Sequence, residues 1–377
     1  MNETTALIVL ALLAAGKLPL AYALQLYRSA GSASAAIDNI KNIRDIIPDA
    51  SATVVSFLNN DISPYINKAT QEEAWCKEHG VDIISIDDER YPQRLRGCND
   101  APLVLFVRGK CDFNASRIVN IVGTRQCTAY GKDFIERFIS DIKGMCSDLI
   151  IVSGLAYGVD INAHRASLAN GIRTVGVVAH GHDKLYPQLH TPDADRMISS
   201  GGAVITEYAC GTRPDARNFL QRNRIIAGMS DATIVVESAS HGGGLVTARL
   251  AQDYGREVFA VPGPVNSEYS KGCNNLIRDD KAALITCAQD VMNAMSWQND
   301  EALVKARKQG IERTLFPTFS PEEQAIVDAL RTHGDCQTNI LAQHTGLSIS
   351  NIVSLLFSLE MKGIVTSQSG NTFHLIG

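Results

Sequence analysis

The sequence lacks the short motifs that mark many nucleotide-dependent enzymes. It contains no G-x-x-x-x-G-K-[ST] phosphate-binding loop, and no G-x-G-x-x-G motif follows a predicted strand. This argues against ATP hydrolysis by a P-loop enzyme and against a bound dinucleotide cofactor. No Ser, His and acid set is indicated by its spacing either. We therefore predict that the protein is not an enzyme and has no catalytic residue, cofactor or metal site.

Paired cysteines and long apolar runs are also missing. The nine cysteines are scattered, odd in number and never in a C-x-x-C pair, which favours reduced thiols and a cytoplasmic location over disulfides or zinc. The apolar run at residues 6–15 is too short to span a bilayer, and no positively charged segment precedes it. It predicts a buried first helix and no membrane association.

Positive charge is not in excess. The 35 Lys and Arg residues are outnumbered by 40 Asp and Glu residues, which gives a formal net charge of -5. This composition argues against a protein that coats nucleic acid through bulk charge, so any nucleic-acid site must be local. With 377 residues, of which 45% are hydrophobic, the chain predicts two to three globular domains.

The order of predicted elements divides the chain into four parts. Residues 1–70 read as short helices broken at Gly16, Gly31 and Pro48, which predicts a small helical domain. Residues 71–295 alternate strands with helices, which predicts an α/β domain with a mainly parallel sheet covered on both faces. The predicted strands are 81–86, 103–107, 118–122, 149–152, 174–178, 203–206, 232–236 and 257–261. Residues 296–318 predict a polar linker, and residues 319–377 show the winged-helix order of helix, helix-turn-helix and hairpin.

Glycine-rich turns follow several of these strands. Ligands of parallel sheets bind outside the carboxyl ends of the strands, where Gly123, Gly154 and residues 242–244 are expected. The hydroxyl of Thr124 and the guanidinium of Arg125 follow the first turn, a combination suited to phosphate. Ordinary turn structure would also explain each of these glycines. For Asp160 we favour a structural role as the cap of the helix that follows it.

The segment 212–224 combines four arginines with Phe219. Arginine neutralises backbone phosphates, and an exposed aromatic ring offers a stacking face for a base, so this composition suits a nucleic-acid strand held without reading its sequence. The alternative is that Phe219 lies in the core and that the arginines pair with Glu207 or Asp231. A further polar turn at residues 270–278 carries Lys271 and Asn275. The three histidines at 180, 182 and 190 predict a solvated loop.

Motifs in consistent order across roughly residues 80–295 resemble the DNA-processing protein A (Smf) family. They are 121–125 (Ile-Val-Gly-Thr-Arg) with Tyr130-Gly131, 153–156 (Ser-Gly-Leu-Ala) with Gly158 and Asp160, Tyr186-Pro187, 222–228 (Arg-Asn-Arg-Ile-Ile-Ala-Gly), 235–237 (Val-Val-Glu), 258–263 (Val-Phe-Ala-Val-Pro-Gly) and 275–278 (Asn-Leu-Ile-Arg). The resemblance implies an extended Rossmann-like domain that forms a homodimer, binds single-stranded DNA in a basic pocket and loads the recombinase RecA onto DNA imported during natural transformation. It also implies an N-terminal domain similar to sterile-alpha-motif (SAM) folds and a C-terminal winged helix.

The residues and the resemblance together give a predicted DNA-contact set. By the family pattern, Arg125 and Phe219 contact DNA and Arg217 is the basic residue before that phenylalanine. The full set is Gly123, Thr124, Arg125, Arg217, Phe219, Arg222, Arg224, Gly242, Gly243, Lys271 and Asn275. The chain departs from the family where Gly242-Gly243 replaces Ser-Gly, and again where residues 279–281 read Asp-Asp-Lys instead of Asp-Gly-Ala.

Two other functions are weighed against DNA binding. A Rossmann-type enzyme or sensor for a small nucleotide, resembling the lysine-decarboxylase-like (LOG) family, would carry a glutamate in its P-G-G-x-G-T-x-x-E motif, but this chain has Ala248 and Arg249 there. A winged-helix transcription factor is disfavoured because residues 318–377 hold two basic and five acidic residues. The predicted recognition helix, 350–360, has no Lys or Arg, so we expect this domain to have a protein-interaction or regulatory role rather than to bind DNA.

Overall fold

The computed structural model describes residues 1–297, 319–334, 336–361, 364–368 and 372–375. The chain divides into two compact units, Met1–Ala302 and Leu303–Gly377. The predicted linker lies outside the described residues from residue 298 onward. The domain boundaries expected at residues 70, 295 and 318 remain predictions.

Helices fill the first 78 residues. They are α1 (Glu3–Ala15), α2 (Leu20–Ala30), α3 (Ala33–Asp38), α4 (Ala52–Asn59) and α5 (Ser63–Glu78), with a 3-10 turn at Ile40–Asp45. Helix α1 is buried along most of its length, as the apolar run predicts. It ends at Gly16, and α2 ends at Gly31, whose φ of 75° only glycine adopts freely. Both breaks are therefore confirmed, while the likeness to SAM folds stays a prediction.

A nine-stranded sheet organises the first unit. Its strands are β1 (Asp82–Ser85), β2 (Val104–Gly109), β3 (Arg117–Val122), β4 (Leu149–Ser153), β5 (Arg173–Val177), β6 (Ala203–Thr206), β7 (Ala232–Val235), β8 (Glu257–Ala260) and β9 (Ala283–Leu284). They lie in the order β1-β2-β6-β5-β4-β3-β7-β8-β9. The seven strands from β6 to β9 are parallel, and β1 and β2 extend the sheet antiparallel. The mainly parallel α/β sheet is confirmed.

Helices cover both faces of this sheet. They are α6 (Gln93–Arg96), α7 (Ala129–Met145), α8 (Val159–Ala169), α9 (Thr191–Ser199), α10 (Ala216–Met229), α11 (Gly243–Asp253), α12 (Lys271–Arg278) and α13 (Ala288–Ala294). Alternate strand residues enter two cores: Val119 and Ile121 pack with α7, α8 and α13, whereas Ile118 and Val122 pack with α10 and α11. The second core continues without a break into the N-terminal helices.

The second unit contains α14 (Pro321–His333), α15 (Thr338–Thr345) and α16 (Ile349–Met361), with β10 (Cys336–Gln337), β11 (Val365–Gln368) and β12 (Thr372–Leu375). Strands β11 and β12 form the predicted hairpin, and β10 pairs with β12. Ser320 and Glu323 form the expected capping box at the start of α14. The winged-helix order is confirmed.

Among the described residues, each helix taken alone is too short or too polar to cross a membrane. Helices α15 and α16 reach the required length and hydropathy only as a pair, and the chain bends by 107° between them.

Candidate functional site

A cavity of about 580 Å³ lies at the carboxyl ends of the central strands. The chain runs from β3 outward through β4, β5 and β6, then returns to place β7 on the opposite side of β3. Such a reversal opens a crevice, and ligands of open α/β sheets bind there. The cavity is lined by the turn after β3 (122–125), residues 156, 157 and 160 after β4, the turn after β7 (238–244) and one face of α10.

Glycines let these turns pack directly against one another. A Cβ atom on Gly123 would lie 2.6 Å from the carbonyl oxygen of Glu237, and one on Gly158 would overlap the backbone of Thr124 and Arg125. A Cβ atom on Gly244 would lie 3.1 Å from the Cα of Gly123. Two backbone hydrogen bonds tie the turns together, from Thr124 N to Glu237 O (2.7 Å) and from Val159 N to Thr124 O (3.0 Å). The backbone around Arg125 is therefore fixed by packing.

The carboxylate of Glu237 holds the start of α7, close to the turn that carries Arg125. It is buried and accepts hydrogen bonds from the backbone N of Thr128 (2.8 Å) and from the Thr128 hydroxyl (2.6 Å). Thr128 is in turn the N-cap of α7. The acid of the Val-Val-Glu motif thus holds a helix start in place, and it does not line the cavity.

Arg125 and Phe219 meet inside the cavity. The guanidinium carbon of the exposed Arg125 lies 5.1 Å from the ring centroid of the half-buried Phe219, a cation–π distance. Asp215 caps α10 by accepting the backbone N–H of Asn218 (2.9 Å), which fixes the helix turn that carries Phe219. The ring of Tyr186 approaches Phe219 at 5.9 Å. An exposed cation and an aromatic face are thus presented side by side.

Arg222 forms the floor of the cavity. Only 3% of this residue is exposed, and its Nη1 donates to the carbonyl oxygens of Gly154 (2.8 Å) and Val177. Burial lowers the pKa of the Arg222 guanidinium to about 10, so the group stays charged at neutral pH. Asp160 is also buried, which raises the pKa of its carboxyl, and it accepts the backbone N–H of Gly154 (3.1 Å). The N-cap of α8 is Gly158, so the prediction that Asp160 caps that helix is wrong.

Seven of the eleven predicted contact residues line this one cavity. They are Gly123, Thr124, Arg125, Phe219, Arg222, Gly242 and Gly243. Arg217 and Arg224 instead line a second cavity of about 760 Å³ on the other side of α10, bordered by α1. Arg224 forms an ion pair with Glu207, as the structural alternative proposed, and also donates to the carbonyl oxygen of Asp100 (2.6 Å).

The remaining two predicted contacts, Lys271 and Asn275, lie outside both cavities. Lys271 pairs with Glu268 on the surface at 2.6 Å. Conversely, the predicted set missed the aromatic side chains of Tyr157, His241 and Tyr269, which also line the cavity. The first two sit in or beside glycine turns that the sequence had already singled out, so the aromatic side chains within those turns were the available signal.

The histidine-rich segment differs from its prediction. His180 and His190 are each only 2% exposed, so the interpretation of a solvated loop is wrong for both. The loop folds back under the strand ends, where the imidazole Nδ1 of His190 donates to the carbonyl oxygen of Leu155 (2.9 Å). Within the described residues, no group of three or more His, Cys, Asp or Glu side chains is arranged to hold a metal ion.

The family model of DNA recombination-mediator protein A matches residues 82–296, and that of the DprA winged helix domain matches residues 313–371. The DNA processing protein DprA of Streptococcus pneumoniae is 40% identical over 209 residues, covering 55% of this chain and 72% of that protein. Protein Smf of Escherichia coli is 32% identical over 312 residues, covering 80% and 79%.

Two solved structures agree with these matches. That of DNA processing protein A from Streptococcus pneumoniae gives a TM-score of 0.62 at 30% identity and covers 78% of this chain and 98% of that one. A structure of DNA processing protein A from Helicobacter pylori, described for its single-stranded DNA binding mode, gives 0.51 at 28% identity and covers 57% and 95%. The chain belongs to the DNA recombination-mediator protein A family, which includes the DNA processing proteins DprA and Smf.

Proposed function

We propose that this protein is a non-catalytic single-stranded-DNA-binding protein that protects incoming DNA and loads the recombinase RecA onto it during natural transformation. The observation that carries the DNA-binding part is the pairing of the exposed Arg125 with the half-buried Phe219 inside the cavity at the carboxyl ends of the central strands. Family membership and the single-stranded-DNA binding mode of the Helicobacter pylori relative support it. A cytoplasmic location, as proposed from composition, fits nine cysteines that are all free.

Arg125 and the start of α11 are the groups that we propose to contact phosphate. The guanidinium of Arg125 is exposed and carries the positive charge that a phosphodiester needs. Gly242 and Gly243, both exposed, begin α11 beside it, where backbone N–H groups have no partner within the helix. Without a side chain at these positions, a phosphate can approach the backbone directly.

Phe219 is the residue that we propose to stack against a base. A base that stacks on the ring face now covered by Arg125 would take the place of the guanidinium, which is then free to reach the adjacent phosphate. Loss of one base–aromatic stack costs about 1 to 3 kcal/mol. Stacking of this kind accepts any base, because every base has a π-face. The proposed site therefore binds single strands without reading their sequence.

Homodimer formation through the first unit is part of the proposal. The strand β9 lies at the edge of the sheet, has only two residues and exposes Leu284 by 50%. A short exposed apolar edge suits an isologous contact with a second copy. Sedimentation analysis of Leu284→Arg tests this part, with Val265→Arg as the control because Val265 is also apolar and is 88% exposed. Dissociation by the first substitution alone is expected, and a wild-type chain that is monomeric would refute it.

The central experiment is fluorescence-polarisation titration of labelled oligo-dT and of its duplex across a salt series. Wild type is expected to prefer the single strand, with an affinity that falls as salt rises. Arg125→Ala and Phe219→Ala should each weaken binding about tenfold or more, whereas Arg249→Ala, an exposed arginine outside the cavity, should not. Unchanged binding by both cavity variants would refute the site.

RecA loading is tested separately. Filament growth of RecA on oligo-dT should start faster when this protein is present, and Arg125→Ala should remove most of that gain because it cannot hold the strand. If wild type binds DNA but RecA assembly is unchanged, the loading step is wrong while the binding step stands. Turnover of a free nucleotide by the wild type would instead favour the enzyme resembling the LOG family.

A further inference from the structure

Tyr157 is a second aromatic residue in the cavity at the carboxyl ends of the central strands, separate from Phe219. It lies in the turn between β4 and α8, is 42% exposed and lines the same cavity. Phe219 has its own set of partners, namely Arg125, Arg222 and Tyr186. The ring of Tyr157 rests instead on His190, with ring centroids 5.0 Å apart and an interplanar angle of 70°.

The ring beneath Tyr157 is firmly held. His190 is 2% exposed, and its Nδ1–H donates to the carbonyl oxygen of Leu155 at 2.9 Å. An edge-to-face aromatic contact with a buried, hydrogen-bonded ring restricts the orientation of Tyr157. The exposed part of the Tyr157 side chain is therefore presented to the cavity in a defined position.

The backbone around Tyr157 is held as well. Leu155 adopts a φ of 53°, a left-handed conformation that is unfavourable for a residue with a branched side chain, and its side chain is fully buried. Such strain persists only where the surroundings enforce it, and it concentrates at functional sites. On the other side, Gly158 packs against the backbone of Thr124 and Arg125. Tyr157 is thus anchored beside the turn that carries Arg125.

We propose that Tyr157 is a second base-stacking platform, which takes the base next to the one on Phe219 while Arg125 holds the phosphate that links the two bases. This inference rests on the proposed single-stranded-DNA function. Successive stacking platforms along a groove are how proteins hold single strands of any sequence. A cavity of about 580 Å³ is of a size that encloses a whole drug-sized ligand, so it has room for more than one base. His190 is a positioning residue in this arrangement.

The test separates bases from phosphates by using two oligomers of equal length, oligo-dT and a fully abasic deoxyribose-phosphate chain. Tyr157→Ala should weaken oligo-dT binding about tenfold, in the range expected for one lost stack, and should leave abasic binding unchanged. Tyr157→Phe should stay within about twofold of wild type on both, since the stacking ring remains. Arg125→Ala should weaken both oligomers because it removes a phosphate contact.

Tyr130→Ala is the matched control, because Tyr130 is also 42% exposed and lies outside the cavity. It should bind both oligomers like wild type. If Tyr157→Ala also binds oligo-dT like wild type while Arg125→Ala and Phe219→Ala lose affinity, the second platform is refuted and the proposed function stands. If none of the three loses affinity, the proposed function itself fails. Equal losses by Tyr157→Ala on both oligomers would also overturn the stacking role.

A spectroscopic signal gives an independent readout. In Tyr157→Trp, oligo-dT should quench the emission of the new indole through stacking, while the abasic chain should not. His190→Ala should reduce this quenching in the Trp variant. In a separate comparison, the double variant His190→Ala with Tyr157→Ala should lose no more oligo-dT affinity than Tyr157→Ala alone. Quenching of the same size by the abasic chain, or fully additive losses, would contradict the arrangement.

Discussion

The cavity at the carboxyl ends of the central strands and helix α16 of the winged-helix unit are both places where the fold type alone would suggest a nucleic-acid contact. Their side chains differ sharply. The cavity joins an exposed cation to an aromatic ring at 5.1 Å. Helix α16 has no Lys or Arg and exposes Ile349, Val353 and Phe357 by 57%, 54% and 66%.

The three exposed residues on α16 lie four positions apart and therefore form one apolar stripe along the helix. A stripe of this kind is an unfavourable partner for phosphate and a favourable one for another apolar surface. The comparison shows that a fold indicates where a ligand could bind, while the side chains determine which ligand it is. We expect nearly all DNA affinity to reside in the first unit.

The largest expected effect comes from Gly158→Ala. A methyl group there would overlap the backbone of Thr124 and Arg125, and the φ of +78° disfavours any side chain. Strain and overpacking together should cost about 2 to 5 kcal/mol and displace the turn of Arg125. We expect a lower melting temperature for the first unit and at least a tenfold loss of oligo-dT affinity.

Gly255→Ala is the matched control, since its φ of +68° is similar but a methyl group there meets open space. It should show only the conformational cost of about 1 to 2 kcal/mol and bind DNA normally. Equal effects of the two substitutions would show that turn packing at the cavity is unimportant.

Acid should weaken the first unit through His164. This imidazole is fully buried, which lowers its pKa to about 3, while the unfolded chain takes up a proton near pH 6.5. Its contribution to stability is therefore complete above pH 6.5 and declines as the pH falls toward 3. The loss is about 1.4 kcal/mol per pH unit, or about 2 kcal/mol between pH 6.5 and 5.

Thermal unfolding at several pH values measures this effect. His164→Asn should flatten the pH dependence of the first transition, and His241→Asn, at an exposed position, should leave it unchanged. A pH profile that is the same for wild type and His164→Asn would contradict the assignment.

A loss of stability of similar size is expected for Glu237→Gln. The substitution removes the charge from a buried acceptor of two hydrogen bonds to Thr128 and should cost about 1.5 to 3 kcal/mol. Glu268→Gln, which breaks only the exposed pair with Lys271, should cost at most about 1 kcal/mol. Melting temperatures compare the two directly, and the reverse ranking would argue against the structural role of Glu237.

The smallest effect is expected on α16. Phe357→Ala in the full chain should change oligo-dT affinity less than twofold, whereas Phe219→Ala should reduce it about tenfold or more. Both substitutions remove a phenylalanine ring, so the difference between their losses of oligo-dT affinity measures how much more the cavity contributes to DNA binding than α16 does. A substantial loss of affinity for Phe357→Ala would mean that the winged-helix unit takes part in DNA binding.

The sequence predicted the parallel strands to within about one residue at each end, because each is a short β-branched run bounded by turn residues. It could not predict that β2 pairs antiparallel with β6, nor that the two-residue β9 closes the edge. Those pairings depend on contacts between distant segments, which leave no local periodic signal.

The candidate site was predictable in part because its turns follow strands that the sequence identifies. Turn glycines and the Arg125 position follow from strand ends, but four arginines in one segment do not reveal which way each points. In α10, Phe219 and Arg222 face one cavity while Arg217 and Arg224 face the other. Helical spacing separates the two sets only once the start of the helix is known. The burial of Arg222 depends on the carbonyl oxygens of Gly154, just after β4, and of Val177 in β5.

The close packing of Gly123, Gly158 and Gly244 also constrains how such a protein can evolve. Because three backbone segments touch where those glycines lie, we expect natural variation to be confined to the side chains that project from them, such as Tyr157 and His241. Homologues could change how they bind a DNA strand by altering one side chain at a time, while the backbone of the packed turns stays the same. Divergence at position 157 against a constant glycine at 158 is the pattern that such a history would leave.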